Sequence, residues 1–261
     1  MDACMEKNKM AVVAIKEITK SFTGVKALDH VSVEIGKGTT GLIGPNGSGK
    51  STLFNCITGE LKVEQGEIFL EDEKITNLES YQIAKKGVIR TYQDIQVFPE
   101  ITVIDNLLTA GQHDQEEHFL GSLFKTNKVK ALERELLRRA VEILDFLDLG
   151  KLAIEYAGNL SYGQRKLLSI GIGLISKPRL LLLDEPTAGV NPTMINHIVE
   201  RLLELKRGGY SFCIIEHNIP LVMNLCDHII VMGSGQKIAE GSPENIRENR
   251  RVVEEFFGRG A

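Results

Sequence analysis

Positive charge is scarce in this chain: 31 lysines and arginines face 35 aspartates and glutamates, leaving a net charge of −4 at pH 7. A general nucleic-acid surface needs a basic excess, so no nucleic-acid partner is expected. Long apolar runs are missing too. The longest, Leu167 to Ser176, is far short of the ~20 residues that cross a bilayer and contains two glycines. The opening Met1-Asp2-Ala3-Cys4-Met5-Glu6-Lys7 has no apolar stretch of the secretory kind. The expectation is a cytoplasmic protein that can still dock on a membrane protein. Cysteine is sparse, with four residues (Cys4, Cys56, Cys213 and Cys226) and no CxxC spacing, which points to reduced and mostly buried thiols. Cys213, His217, Cys226 and His228 match no zinc spacing. Internal repeats and low-complexity segments are absent as well.

What is present is an ordinary globular composition, 43% apolar and 25% charged over 261 residues, enough for one large α/β domain. Val12 to Thr19, Val31 to Ile35 and Gly66 to Glu71 predict short strands of an N-terminal antiparallel β subdomain. After residue 38 strand and helix patterns alternate, which predicts a parallel sheet with helices on its faces. Gly87 to Thr91, Arg179 to Asp184 and Tyr210 to Glu216 predict further strands, and Ile229 to Ile238 a hairpin with a glycine-rich turn. Leu132, Leu136, Leu137, Ala140, Val141, Leu144 and Leu147 recur at helical spacing within Val129 to Leu149, with Glu135 and Arg139 placed as an i,i+4 pair on the other face. Helices are also predicted from Pro192 to Lys206 and from Pro243 to Phe257. Gly111 to Thr126 is polar with scattered apolar residues. The expected organisation is a single domain over 1–261 with an inserted helical subdomain at about 95–175.

Gly44-Pro45-Asn46-Gly47-Ser48-Gly49-Lys50-Ser51 fits G-x-x-x-x-G-K-[ST], the phosphate-binding loop. Its glycines let backbone N–H groups turn inward around phosphate oxygens where a Cβ would block the path. Lys50 supplies a charge for the β- and γ-phosphates and Ser51 a hydroxyl for Mg²⁺. The helix beginning here, with Thr52 in its first turn, aims its positive end at the same anion. Thr39 to Ile43 enters as a buried strand, so the context is right and a nucleoside triphosphate is the expected ligand; the alternative is a glycine-rich turn that matches by chance.

Two further signals follow. Leu180 to Leu183 is an apolar strand that delivers Asp184 and Glu185 to its carboxyl end, where open α/β sheets bind ligands. Asp184 is then a candidate Mg²⁺ ligand, through water, and Glu185 a candidate base for the attacking water. Leu160-Ser161-Tyr162-Gly163-Gln164 precedes an apolar helix that Ser161 can cap, while Gly163 admits a close backbone approach; by itself this is a simple helix cap.

The order of these motifs resembles the ATP-binding-cassette family, whose signature is LSGGQ, and the resemblance runs from about Val12 to Phe257. It implies a P-loop NTPase parallel-sheet core and ATP hydrolysis with Mg²⁺. By resemblance Gln93 is the glutamine that senses Mg²⁺ and links the site to a membrane partner, and His217 is the switch histidine at the γ-phosphate. Phe22 is the aromatic that stacks on adenine, and Ser161, Gly163 and Gln164 are the signature that reaches ATP in a second subunit. Ala188 to Asn191 takes the D-loop position. One copy of each motif implies a homodimer or half of a heterodimer around two ATPs, peripheral on the inner face of the cell membrane and driving an integral permease. Val97, Phe98, Pro99 and Ile101 are expected to be partly exposed for that docking.

Two residues depart from the pattern: Tyr162 replaces the first signature glycine, and Asn191 stands where Asp is usual. Neither removes Lys50, Asp184, Glu185 or His217, so hydrolysis is still expected. Arg90-Thr91-Tyr92-Gln93, Thr102 to Leu108, Ala188 to Pro192 and Glu216 to Met223 look most like the larger ATP-binding subunit of branched-chain amino-acid importers. Relatives serving urea import or lipopolysaccharide transport are alternatives, as is a non-transport ATP switch with a soluble partner.

Overall fold

The computed structural model describes residues 11–93, 95–112 and 127–252. The fold is mixed α/β and divides into two compact units, the chain passing from the first to the second after residue 80 and back after residue 208.

The first unit opens on a hairpin of β1 (Ala11–Phe22) and β2 (Val25–Gly36). These strands are 12 residues each, longer than the short strands predicted. Thr23 and Gly24 both have positive φ, the two-residue turn that matches the right-handed twist of its flanking strands. Register shifts along β1, with Glu17 and His30 also at positive φ, break the apolar–polar alternation and hide the strands' full length from sequence periodicity. β4 (Gln65–Leu70) pairs antiparallel with β1, and β5 (Glu73–Lys74) with β4, giving the order β2-β1-β4-β5. This confirms the antiparallel N-terminal sheet.

The same unit holds the parallel strands. β3 (Thr39–Ile43) is buried throughout and pairs in parallel with β8 (Phe212–Ile215) and β9 (His228–Gly233). β10 (Gln236–Gly241) returns antiparallel to β9 through Ser234 and Gly235, as the glycine-rich turn predicted. β3 feeds α1 (Lys50–Ile57), which buries Leu53, Phe54 and Ile57. Near the chain's end α7 (Ile219–Leu225) and α8 (Pro243–Glu248) pack together. The helix predicted to reach Phe257 is interrupted at Asn249, which turns to an extended conformation, and helical residues resume at 250–252; residues beyond Val252 lie outside the described part.

In the second unit β6 (Val88–Thr91) and β7 (Leu180–Asp184) run parallel, with Thr91 opposite Leu183. α2 (Ser80–Lys85) leads into β6. α3 (Val103–Gly111), α4 (Asn127–Phe146) and α5 (Tyr162–Leu174) pack on one another, and α6 (Pro192–Arg207) follows β7. The periodicity of α4 is half right. Leu136, Ala140, Leu144 and Leu147 are buried, but Leu132, Leu137 and Val141 face outward. The predicted Glu135–Arg139 pair does not form as such: Glu135 accepts from Arg138, and Arg139 instead donates to the Ile175 carbonyl at 2.7 Å. Capping a buried carbonyl at the end of α5 outcompetes an exposed ion pair worth only a few tenths of a kcal/mol, roughly. Most of Gly111 to Thr126 lies outside the described residues.

Candidate functional site

The phosphate-loop sequence leaves the carboxyl end of β3 and closes at the start of α1. Gly47 and Gly49 adopt positive φ, 78° and 101°. Gly49 is also pressed against the hairpin: a Cβ there would lie 2.5 Å from the Ala27 carbonyl oxygen. At Gly44 a Cβ would meet the Met232 carbonyl oxygen at 2.3 Å. The loop is thus shaped by backbone on both sides. Lys50 is buried, its ammonium held by the carbonyls of Gly44 (2.8 Å) and Pro45 (3.0 Å). Pro45, Asn46 and Gly47 are exposed at the loop's tip, Ser51 is exposed and Thr52 half-buried. The Ser48 hydroxyl is buried without a hydrogen-bond partner among the described residues. A loop that leaves no room for a Cβ at Gly44 or Gly49 and opens directly into a helix N-terminus is what a phosphate cradle provides.

His217 follows β8 at the same end of the parallel strands, since Leu42 lies opposite Ile215. Its side chain is exposed, and its backbone N–H donates to the buried Glu216 carboxylate at 3.2 Å. Phe22 stands at the tip of the β1–β2 hairpin, 43% exposed, with the Lys20 ammonium 5.5 Å from the ring centroid. An aromatic face left open at a hairpin tip suits stacking on a flat heterocycle.

The second unit gathers the other candidates. Gln93 and Glu185 follow adjacent parallel strands, and the Gln93 amide donates to the Glu185 carboxylate at 2.9 Å. Asp184 is 6% exposed and its carboxylate accepts from Arg90 at 2.7 Å, an ion pair buried on both sides. The sequence reading missed Arg90: a residue 94 positions away gives no local signal of its partner. Lys166 was missed as well. It is buried on α5, and its ammonium donates to the carbonyls of Gln93 (2.8 Å) and Glu185 (3.2 Å).

Ser161, Gly163 and Gln164 form the first turn of α5. Ser161 accepts from the Gln164 N–H while the Gln164 side chain accepts from the Ser161 N–H, a reciprocal capping box. Gly163 is buried under Met194. Tyr162 has a structural role: its ring lies against Gly189, where a Cβ would come within 3.2 Å of the ring. Asn191 caps α6, its side chain accepting from the Met194 N–H at 3.0 Å. Both departures from the signature pattern therefore serve the local packing.

Phe98 is 60% exposed, yet its backbone is fixed. Buried Asn106 accepts from the Phe98 N–H (2.8 Å) and donates to its carbonyl (3.0 Å). Pro99 is exposed, and Val97 and Ile101 are half-buried, as expected for this segment.

Within the second unit Gln93 and Asp184 offer amide and carboxylate oxygens, and in the first Ser51 offers an exposed hydroxyl, each a donor type that suits a hard divalent cation. Among the described residues no three His, Cys, Asp or Glu side chains gather as a metal site, so Cys213, His217, Cys226 and His228 do not form one. Cys56, Cys213 and Cys226 are free and buried. Burial pushes the Cys56 thiol up to about 11 and the Cys213 thiol higher still. No helix among the described residues is long and apolar enough to cross a membrane.

Residues 28–188 match the family described as ABC transporter. Over 257 residues the chain is 43% identical to the probable branched-chain amino acid transport ATP-binding protein LivG of Methanocaldococcus jannaschii, across 97% of this chain and 99% of that one. It is 37% identical to the high-affinity branched-chain amino acid transport ATP-binding protein BraF of Pseudomonas aeruginosa, across 95% and 98% of the two chains. Among solved structures it is similar to an ATP-binding cassette of an ABC transporter in its ADP conformation, with a TM-score of 0.81 and 42% identity over 95% of this chain and 99% of that one.

Proposed function

This chain belongs to the ABC transporter family and is an ATPase, and we propose that it powers the import of branched-chain amino acids through an integral membrane permease. The observation that carries the cargo is the likeness to LivG and BraF proteins along nearly the whole of both chains. An ATPase of this kind does not touch its cargo, so the geometry of the site supports the energy-coupling chemistry rather than the amino acid.

In this reading two such subunits close around ATP, as a homodimer or with a related partner. Lys50 and the N–H groups of Gly44 to Thr52 bind phosphates, and Phe22 stacks on adenine. Ser161, Gly163 and Gln164 engage nucleotide held by the second subunit. Ser51, Asp184 and Gln93 would hold Mg²⁺, which when bound neutralises charge developing on the phosphates. Glu185 takes the proton of the attacking water, and His217 senses the γ-phosphate. Glu185 supports this role because its carboxylate stands at the end of β7 and is oriented by the Gln93 amide. α3, α4 and α5 belong to the helical subdomain at about 95–175, and Phe98 with its neighbours, held rigid by Asn106, is the docking point for the permease. The subunit then sits on the inner face of the cell membrane.

Such a clamp works only if ATP binds the closed state better than the open one. Replacing the base should trap the closed state: Glu185→Gln is expected to lower turnover by about 10²–10⁴-fold and to accumulate an ATP-bound dimer in light scattering. A monomer with bound MgATP would contradict the clamp.

A further inference from the structure

We propose that Lys166 is a positioning residue for hydrolysis: its buried ammonium locks the backbones of Gln93 and Glu185 to one another and so sets where the Glu185 carboxylate points. The proposal rests on the reading of Glu185 as the base.

Lysine is almost never fully buried unless its charge is satisfied. Lys166 is 3% exposed, and its ammonium donates to the carbonyls of the two residues that carry the candidate base and its amide partner. Glu185 itself is in an uncommon conformation, with φ of 48°. For a residue with a Cβ the left-handed region is disfavoured and persists only where the surroundings hold it. Here the Glu185 carbonyl accepts from both Ala188 N–H (3.2 Å) and Lys166 (3.2 Å), which engages both of its lone pairs. The side chain leaving this fixed backbone meets the Gln93 amide at 2.9 Å. Gln93 is fixed in turn by the same ammonium, at 2.8 Å. One cation therefore ties the segment after β6 to the end of β7, and the backbone from which the base projects is fixed at both places.

The Tyr162 ring flanks this arrangement, its centroid 5.9 Å from the Lys166 ammonium. The same ring rests against Gly189. Lys166 is thus placed where the turn containing Glu185, the segment containing Gln93 and the start of α5 meet. A shift of about 1 Å in a catalytic group can cost about 100-fold in rate, so losing this tie should show in turnover rather than in nucleotide affinity.

The test is steady-state ATP hydrolysis by the full-length chain, wild type against Lys166→Met, Lys166→Arg and Glu185→Gln, with thermal unfolding and binding of a non-hydrolysable ATP analogue measured in parallel. Methionine keeps the apolar stem but loses the donors. The expected result is a kcat lower by about 100-fold in Lys166→Met, with KM and analogue binding unchanged, and substantial recovery in Lys166→Arg. Unchanged kcat in Lys166→Met would overturn the proposal. So would a loss that lies in KM and analogue binding, or an arginine variant no better than methionine. Should the methionine variant fail to fold, Lys166→Gln against Lys166→Arg carries the same comparison. Glu185→Gln separates the two readings. If it turns over like wild type, the base assignment fails. If it is inactive while Lys166→Met is normal, only the role of Lys166 fails.

Discussion

The loop at Gly44 to Ser51 and the strand end at Asp184-Glu185 are held in place by different means. The loop is a backbone device: glycines at positive φ, close approach to the carbonyls of Ala27 and Met232, and a lysine ammonium folded onto the loop's own carbonyls. The strand end is a side-chain device. Arg90 grips Asp184, Lys166 grips the Glu185 carbonyl, and Gln93 meets the Glu185 carboxylate, all from residues distant in sequence. A backbone device tolerates no added atom, whereas a side-chain device tolerates no lost charge. The two regions should therefore fail differently under substitution.

The largest effect on stability is expected at the strand end. Arg90→Met removes one partner of an ion pair in which both side chains are less than a tenth exposed. Breaking such a pair strands the other charge, and a loss of about 3–5 kcal/mol is expected in urea unfolding. A loss near zero would mean that Asp184 is satisfied without Arg90.

A smaller effect separates two glycines of the loop. Gly44→Ala forces a Cβ into the Met232 carbonyl and is expected to cost about 1–3 kcal/mol, whereas Gly47→Ala meets nothing within 4 Å and is expected to cost about 1–2 kcal/mol from its positive φ alone. A Gly44→Ala chain as stable as wild type would contradict the close approach to Met232, and a Gly47→Ala chain as stable as wild type would contradict the strained conformation there.

The smallest effect concerns thiols, which belong to neither device. The Cys56 thiol is pushed up to about 11 by burial, and that of Cys213 is raised further. A raised folded-state value keeps both protonated and unreactive at neutral pH and up to the alkaline range, while the unfolded thiols titrate near 8.5. Alkylation at pH 8 should therefore label neither until denaturant is added. Rapid native labelling of Cys56 would contradict the burial of α1.

The same contrast explains what could be read from the chain. The loop was legible because its constraint is local: eight consecutive residues specify both the turn and the charge. Ser161 was legible for the same reason, as a helix cap, whereas the reciprocal bond from Gln164 emerged only in the structure. Asp184 and Glu185 announced themselves through the apolar strand before them. Arg90 and Lys166 did not, because a buried cation looks like any surface lysine or arginine until the fold brings its acceptors to it. The strands β1 and β2 were read too short for a related reason: bulges at Glu17 and His30 disrupt the period of two on which strand recognition depends. In α4, helical spacing was right, but spacing alone could not tell that Leu137 and Val141 face outward. Tyr162 looked like a defect in the signature until Gly189 was seen beneath its ring.

The central claim is that ATP turnover by this chain drives amino-acid import through a membrane permease. Its most direct test is uptake of radiolabelled leucine, isoleucine and valine by cells lacking the chain, complemented with wild type or with Glu185→Gln. The account predicts that wild type restores uptake of all three and that Glu185→Gln restores none, although it is present at the membrane at the same level. Uptake that is normal without the chain, or restored equally by both versions, would contradict it.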